Sequence, residues 1–344
     1  MEVVEPYQHL AGLGRPPLRS FGHGAAGVAY ALWRCATLTG DDDAGRAALA
    51  WAAEAQSAVH EPDAFVGPPP VFPDGAFPLT TSLYFGEAGV WCVSALLGAG
   101  GVERFVDIAE RCPEQSVDVV GGAAGLLLGL ALLVEQLHAP AARSAGERLV
   151  VRLAPAPTLP LLGAAHGRAG IVHARLRWCQ ATGAQPDEHV RDELGRLLAA
   201  EVGKGRWPRR SDTDEAWPGW CHGSAGWAQL WTLAAEVTGD DSFVAPAERA
   251  AAYALAHGGG GASLCCGAGG HAYAALAVYR ATGERAWLAQ AHRAAERAAV
   301  EPAGDRFPEH SLWGGTLGAS LLAVELAYPD AAALPLYRSL RPSS

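Results

Sequence analysis

Seven copies of the tetrapeptide Gly-x-x-Gly, spread over most of the chain, constrain its fold more than any other feature. One copy alone means little, because 42 of the 344 residues are glycine and chance matches are common. Here each copy opens an apolar run, and such self-similarity is typical of repeat architectures. The copies are Gly24/Gly27, Gly86/Gly89, Gly122/Gly125, Gly167/Gly170, Gly223/Gly226, Gly267/Gly270 and Gly315/Gly318.

A second regularity indicates what a repeat contains. In four repeats a Thr-Gly pair ends the apolar run, with its glycine 13 residues after the second glycine of the tetrapeptide. A segment that is apolar nearly all round and closes on glycine is typical of a buried helix, since glycine readily takes the left-handed conformation that stops a helix. The pairs are Thr39-Gly40, Thr182-Gly183, Thr238-Gly239 and Thr282-Gly283.

The residues after these stops predict a second helix in each repeat. Acidic residues such as Glu284 follow the glycine directly, where they suit the positive end of a new helix. Farther on, apolar residues recur at helical spacing among charged ones, which indicates one buried stripe on a solvated helix. An example is the series Val190, Leu194, Leu197, Leu198 and Val202.

Seven pairs of a buried and a half-exposed helix, with no convincing strand, predict an all-α fold. We expect an α/α toroid of seven helical hairpins, in which an outer ring of helices wraps an inner ring, as a single domain over residues 1–344. An open α-solenoid is the alternative geometry, but solenoid repeats usually keep a steadier period than these do.

Composition narrows the environment and the partners. Half of the residues are hydrophobic and 18% are charged, enough for a buried core. The net charge is −10 and Lys204 is the only lysine, which argues against a nucleic-acid partner. No 18-residue apolar run occurs, and the first residues lack a signal-peptide pattern. We therefore expect a cytoplasmic protein without a transmembrane segment, whose cysteines serve metal binding or catalysis rather than disulfides.

The residues directly before each tetrapeptide should meet at one end of the toroid, around its axis. Cys221 precedes the fifth copy, and Cys265 and Cys266 precede the sixth, so three thiols from adjoining repeats come together. Three protein ligands with an open fourth position are typical of a catalytic Zn²⁺ site. His222 is an alternative to Cys266 as third ligand, less favoured because Cys265 and Cys266 occupy corresponding turn positions. The remaining cysteines receive no role: Cys35, Cys92, Cys112 and Cys179.

These motifs resemble those of the lanthionine synthetase C-like family, the lanthipeptide cyclases, over the whole chain. That family holds zinc through a Trp-Cys-x-Gly turn, matched by Trp220-Cys221-His222-Gly223, and a Cys-His-Gly turn, matched by Cys265-Cys266-Gly267. Cys266 stands where most members have histidine. The family's active-site histidine, in an Ala-His-Gly-x-x-Gly turn, corresponds to His166, and its acidic partner corresponds to Asp118.

One position departs from the family pattern. An arginine four residues before the first zinc cysteine is typical, and Trp217 occupies that position here. Arg209 and Arg210 lie nearby in the sequence and are candidates to replace its guanidinium near the substrate carbonyl.

The resemblance implies intramolecular thioether formation in a precursor peptide. A peptide cysteine, held as thiolate by Zn²⁺, adds to dehydroalanine or dehydrobutyrine and gives lanthionine or methyllanthionine. His166 would protonate the α-carbon, since imidazole titrates near neutral pH, and Asp118 would orient His166 or share its proton. Three protein thiolates would leave the metal electron-rich, and we expect this to make the substrate sulfur more nucleophilic.

The implied partner is a dehydrated precursor peptide. Helix pairs fill the 344 residues, so we expect dehydration to come from a separate dehydratase or kinase/lyase enzyme.

Other functions stay open at this point. A zinc prenyltransferase or a glycosidase on a similar toroid is disfavoured by the cysteine trio and by the count of seven repeats. A non-catalytic peptide-binding scaffold with structural zinc, or an enzyme that adds glutathione to dehydrated peptides, also agrees with the motifs. Three further histidines are expected to be structural: His23, His173 and His271.

Overall fold

A computed structural model describes residues 18–66, 79–154, 159–300 and 310–340. Within these ranges the regular secondary structure is helical, and extended pairing is confined to isolated bridges. The helices are α1 (Ala25–Thr39), α2 (Asp42–Ser57), α3 (Glu87–Leu96), α4 (Val102–Glu110), α5 (Ala123–Leu137), α6 (Pro140–Leu153), α7 (Arg168–Thr182), α8 (Glu188–Ala199), α9 (Ser224–Thr238), α10 (Val244–His257), α11 (Ala268–Thr282), α12 (Arg285–Val300) and α13 (Thr316–Leu326).

The odd-numbered helices form a closed inner ring. Each of them packs against the next one, and α13 packs back against α1. The even-numbered helices lie outside, each against its own inner helix, and most also contact the following inner helix. The predicted α/α toroid is confirmed, and closure rules out the open solenoid.

The seventh repeat differs from the prediction of seven complete hairpins. Helix α13 is followed by an irregular segment, residues 327–340, and not by an outer helix. Pro329 and Pro335 lie in this segment, and proline lacks the N–H group that a helix interior requires. The described part of the chain therefore contains six helical hairpins and a seventh inner helix.

The C-terminal segment fills the toroid from the middle of the inner helices to their C-terminal ends. The Tyr337 ring stacks on His173 with centroids 3.8 Å apart, and the Tyr337 carbonyl bonds to His173 Nε2 at 2.9 Å. Arg338 forms an ion pair with Glu236 at 3.1 Å, and the Ser339 hydroxyl donates to Glu135 at 2.6 Å. This end of the ring is therefore occupied by the chain itself.

Local physics explains why the tetrapeptide recurs. The second glycine of each copy lies against the carbonyl of its own turn, and in six of the seven copies it also lies against the neighbouring repeat. At Gly226 an added Cβ would come within 2.2 Å of the Trp220 oxygen and 2.8 Å of the Ala164 side chain. Real Cβ atoms do not approach so closely, so the tight turn and the close packing both require glycine.

The Thr-Gly pairs end their helices as predicted. Gly183, for example, has φ 72°, the left-handed conformation of a helix stop. The threonine adds a contact that the sequence pattern did not suggest, because the Thr39 hydroxyl donates to the Cys35 carbonyl at 2.8 Å and accepts from the Asp41 amide at 3.3 Å. The hydroxyls of Thr39, Thr238 and Thr282 thus join the end of one helix to the start of the next.

No helix in the described residues combines the length and apolar character needed to cross a membrane.

Candidate active site

The turns before the inner helices are hydrogen-bonded to one another around the ring. The Ala165 amide donates to the Cys221 carbonyl at 2.8 Å, and the Trp220 amide donates to the Cys265 carbonyl at 2.6 Å. Similar bonds continue through Leu264 to Trp313 and from Trp313 to Gly22. Residues more than 40 positions apart in sequence are thereby fixed side by side at one end of the toroid.

A cluster of three thiols lies where the fifth and sixth turns meet. The Sγ atoms of Cys221 and Cys266 are 3.6 Å apart, and those of Cys265 and Cys266 are 3.4 Å apart. All three sulfurs lie within 4.8 Å of one another, and Cys266 is exposed. In the described part of the chain this is the group of side chains whose spacing suits a metal ion.

The thiols perturb one another's acidity. Hydrogen bonding to Cys221 and then to Cys265 lowers the pKa of Cys266 to about 3. Hydrogen bonding with Cys221 and Cys266 raises the pKa of Cys265 well above its ordinary value. The cluster therefore favours a thiolate at neutral pH, the form of cysteine that binds metals.

His166 and Asp118 form a pair next to the thiols. His166 Nδ1 lies 2.8 Å from Asp118 Oδ2, and Asp118 Oδ1 accepts the Gly121 amide at 2.7 Å. An ionised carboxylate only accepts hydrogen bonds, so Nδ1 carries the proton and the ring orientation is fixed. Both side chains are partly exposed, 27% for His166 and 29% for Asp118. The structure thus brings together two residues that the sequence places 48 positions apart.

His222 lies outside the thiol cluster. Its ring faces His166 with centroids 5.5 Å apart and meets the Trp217 ring edge-on at 5.9 Å. Burial, followed by the charge of His166, lowers the pKa of His222 to about 4, so its ring is neutral at pH 7. His222 therefore lines the site but lies apart from the sulfurs. This geometry favours Cys266 over His222 as the third metal ligand, as the sequence does.

Trp217 stands at the position of the family arginine, and the guanidinium of Arg209 packs on the face of its ring. Arg209 lies 4.8 Å from the Trp217 ring centroid, and its buried Nε has no hydrogen-bond partner among the described residues. Arg210 is different, since it forms an exposed pair with Asp212 at 2.8 and 3.0 Å. Of the two arginines, the structure brings Arg209 to the site.

A cavity of about 160 Å³ joins these groups. Its reactive lining is His166, His222, Cys221 and Cys265. The opposite wall is aromatic and includes Tyr84, Phe85, Trp220 and Trp313, and Trp220 packs against Trp313 at 5.0 Å. Sequence analysis assigned no role to Tyr84 or Phe85, although both hold the register positions just before the second tetrapeptide.

His23 also borders the cavity but is satisfied by the protein. It is 2% exposed, its Nδ1 lies 2.6 Å from the Ser311 hydroxyl, and its ring stacks on Phe85. Burial lowers the pKa of His23 to about 3. His173 and His271 are fully buried within α7 and α11. All three side chains are buried, as a structural role requires, and that role stays a prediction.

One regularity escaped sequence analysis. Four residues before each tetrapeptide, in five of the seven turns, a side-chain oxygen accepts the amide of the residue just before the first glycine. The acceptors are Ser20, Ser82, Asp118, Ser263 and Ser311. The signal in the sequence is a serine or aspartate that recurs four residues before the tetrapeptide. Asp118 is one of these turn residues, and its second oxygen holds His166.

The two remaining turns have glycine at that position. An added Cβ at Gly163 would lie 2.6 Å from the His222 Cα, and one at Gly219 would lie 3.0 Å from the Cys265 carbonyl oxygen. These glycines allow the fourth, fifth and sixth turns to approach one another where the thiols and His166 lie.

Comparisons with known proteins give the family and the fold of the chain. The model of the family described as "Lanthionine synthetase C-like protein" matches residues 18–338. The solved structure of nisin cyclase superposes with a TM-score of 0.66 at 15% identity, over 94% of this chain and 91% of that chain. A sugar epimerase from a ruminal bacterium gives a TM-score of 0.42 at 12% identity, over 69% of this chain and 85% of that chain.

Proposed function

The chain belongs to the lanthionine synthetase C-like family, and we propose that it is a zinc-dependent lanthipeptide cyclase. Its reaction would add cysteine thiolates of a precursor peptide to dehydroalanine or dehydrobutyrine and form lanthionine or methyllanthionine rings. The observation that carries the proposal is the shared cavity, which is lined by His166 together with Cys221 and Cys265.

The sulfur geometry supports Zn²⁺ as the metal, with Cys221, Cys265 and Cys266 as ligands. Tetrahedral zinc with Zn–S bonds of about 2.3 Å places its sulfurs roughly 3.8 Å apart. The measured separations of 3.4 and 3.6 Å are close to that value. A bound Zn²⁺ would supply the deprotonation of a substrate thiol at neutral pH.

His166 would handle the proton in the addition. The sulfur forms a bond to the β-carbon, the carbon–carbon double bond becomes an enolate, and the α-carbon then takes up a proton. Imidazole is the side chain best matched to this transfer near pH 7, and the bond from Nδ1 to Asp118 directs the other ring nitrogen away from the carboxylate. Asp118 would act as a positioning residue that fixes the ring and stabilises its protonated form.

An arginine beside the cavity and the aromatic residues of its wall would control charge and water. The guanidinium of Arg209, stacked on Trp217, is the cation best placed to approach the developing enolate. The aromatic wall of Trp220 and Trp313 would exclude water around the reacting carbon atoms.

The proposal includes a substrate made elsewhere. A dehydrated precursor peptide requires that serine or threonine has already lost water, and we assign that step to a separate dehydratase or kinase/lyase enzyme. A cytoplasmic location remains a prediction.

The test uses a synthetic peptide that contains one dehydroalanine and one cysteine. Ring closure removes the free thiol without a change of mass, so mass spectrometry before and after thiol alkylation reports it directly. We expect the purified zinc-loaded protein to protect the thiol from alkylation, and the Cys265→Ala variant not to do so. If the free thiol disappears with the wild type and with Cys265→Ala only as fast as it does without protein, a non-catalytic scaffold is favoured. A product heavier by one glutathione, formed only when glutathione is supplied, would favour glutathione addition.

A further inference from the structure

The catalytic cavity is too small to hold much of a peptide. Its volume of about 160 Å³ is below the range of roughly 300–1,000 Å³ usual for ligand pockets. It fits the reacting side chains of a substrate and little else. A peptide substrate therefore needs contacts elsewhere on the protein for most of its binding.

A larger groove of about 760 Å³ lies between the loop after α8 and the C-terminal half of α10. We call it the basic groove, because its lining includes Lys204, Arg206, Arg249 and His257, with Tyr253 between them. Arg249 pairs with Glu201 at 2.6 Å, whereas Lys204 and Arg206 have no carboxylate partner among the residues that the structure describes. The groove thus carries a surplus of positive charge.

This surplus is unusual for the chain. The protein carries a net charge of −10, and its only lysine lies in this groove. Between residues 204 and 210 there are four cationic residues and no acidic one. Such a local reversal of sign attracts an anionic partner toward one place on an otherwise acidic surface.

The loop presents these charges in a fixed conformation. Lys204 has φ 55° and lies between two glycines that also have positive φ. The Val202 amide donates to the Arg206 carbonyl at 2.9 Å, and the Gly205 amide donates to Glu201 at 2.8 Å. A non-glycine residue in this conformation is uncommon and persists where the surrounding contacts hold it.

The same segment connects the basic groove to the active site. The Arg209 carbonyl accepts the amide of Leu162, which begins the turn that carries His166. Lys204 and Arg209 are five positions apart in the sequence, which spans at most about 18 Å. A peptide anchored in the groove would therefore reach the cavity with a short extended stretch.

We propose that the basic groove binds an acidic segment of the peptide substrate, outside the residues that form rings. This inference rests on the proposed function for the identity of the peptide. Carboxylates of the segment would pair with Lys204 and Arg206, while Tyr253 and the stems of the cationic side chains would contact its apolar atoms.

The binding test uses two fluorescein-labelled peptides of about twelve residues, long enough to fill the groove, one of alternating Glu and Ala and one of alternating Gln and Ala. Fluorescence anisotropy compares the wild type with the double variant Lys204→Glu/Arg206→Glu. The matched control is Arg104→Glu/Arg293→Glu, which changes net charge equally at exposed residues of α4 and α12. We expect the acidic peptide to bind the wild type and the control alike, and the groove variant about tenfold or more weakly.

Three results would overturn the inference: equal loss of binding in both double variants, equal binding of the Gln peptide, or tighter binding of an RNA oligonucleotide than of the acidic peptide. An activity arm separates this inference from the proposed function. Fusion of the acidic segment to the short dehydroalanine peptide should lower KM for the wild type but not for the groove variant, with kcat unchanged in both. If the wild type closes no ring on either peptide, the proposed function fails, while the anisotropy result on the groove still stands.

Discussion

His23 and His166 occupy the same position in two turns of one ring, directly before the tetrapeptide, yet their surroundings are opposite. His23 is 2% exposed and bonded to the Ser311 hydroxyl, and burial lowers its pKa to about 3. His166 is 27% exposed and paired with the carboxylate of Asp118. The tetrapeptide therefore fixes where a side chain emerges, and the neighbouring turn decides whether it is structural or available for chemistry.

The contrast extends to the two sides of the ring. The turns of the first, second and seventh repeats supply packed groups such as Phe85 and Trp313. The turns of the fourth to sixth repeats supply His166 and the three thiols, which are partly exposed and lie near one another. The side chains of the first side are packed within the protein, whereas those of the second side are the ones that we propose to meet a metal and a substrate.

The largest effect should come from the thiol cluster. Cys265→Ala removes one of three sulfurs, so we expect loss of bound zinc and a fall in cyclisation rate of at least about 1,000-fold. Cys92→Ala, at a fully buried cysteine of α3, is the matched control and should keep zinc and activity at some cost in stability. Metal analysis with the alkylation assay checks both variants. Full zinc content in Cys265→Ala would contradict the ligand assignment.

The two histidines provide the next test. His166→Gln should reduce kcat by about 10²–10⁴-fold because it removes the proton donor. His23→Gln should keep kcat within about threefold but lower the free energy of unfolding by about 1–3 kcal/mol, since Ser311 loses its partner. Single-turnover kinetics and urea unfolding measure the two effects. Equal losses of kcat would show that position in the ring, and not the neighbouring turn, sets the role.

A smaller change is expected at the third sulfur. Cys266→His should retain zinc, because histidine is also a good zinc ligand. It should slow cyclisation by about tenfold, since one less thiolate leaves the substrate sulfur less nucleophilic. Rates are compared at equal zinc content. An unchanged or faster rate would count against the advantage of an all-sulfur site.

The two arginines near Trp217 should differ. Arg209→Gln removes the guanidinium over Trp217, and we expect about a tenfold loss of kcat, the order of one charge-assisted hydrogen bond. Arg210→Gln removes only an exposed ion pair with Asp212, so kcat should stay within about twofold of the wild type. The alkylation assay compares their rates. Equal rates for the two variants would leave the site without its assigned cation.

The smallest effect concerns pH and stability. His23 has a folded-state pKa near 3, below the ordinary value of 6.5, so the unfolded chain takes up the proton first as pH falls. The contribution of neutral His23 is therefore present above pH 6.5 and decreases below it, by about 2–3 kcal/mol at about pH 4.5. Urea unfolding of the wild type and His23→Gln at several pH values should show the wild type's advantage falling by that amount, so that it closes or reverses near pH 4.5. A gap that is constant with pH would be inconsistent with a neutral, buried His23.

The fold could be predicted well from sequence because its signals are local. Gly183 is required by the left-handed helix stop, and Gly226 by the carbonyl of Trp220 six residues before it, so both requirements act within a few residues. The prediction of a second helix in the last repeat was wrong, because it extended the pattern of the other six repeats to the seventh. Residues 327–340 instead fill the toroid through contacts with helices far away in sequence, such as the pairing of Arg338 with Glu236.

The candidate site was predictable where register alone determines position. The cysteines precede corresponding tetrapeptides, so closure of the ring brings them together. The distinction between Arg209 and Arg210 was beyond sequence analysis, because adjacent residues in an irregular segment point in directions set by Trp217 and Asp212. The roles of Gly163 and Gly219 depend on the approach of a neighbouring turn, which no local pattern encodes.

The most direct test of the central claim is X-ray absorption at the zinc edge, on the purified protein alone and with a thiol-containing substrate peptide. We predict one zinc per chain with three sulfur scatterers at about 2.3 Å and one lighter scatterer, changing to four sulfurs when the peptide binds. A spectrum with four protein ligands that the peptide leaves unchanged, or with fewer than three sulfurs, would contradict the proposal that Cys221, Cys265 and Cys266 hold a catalytic zinc.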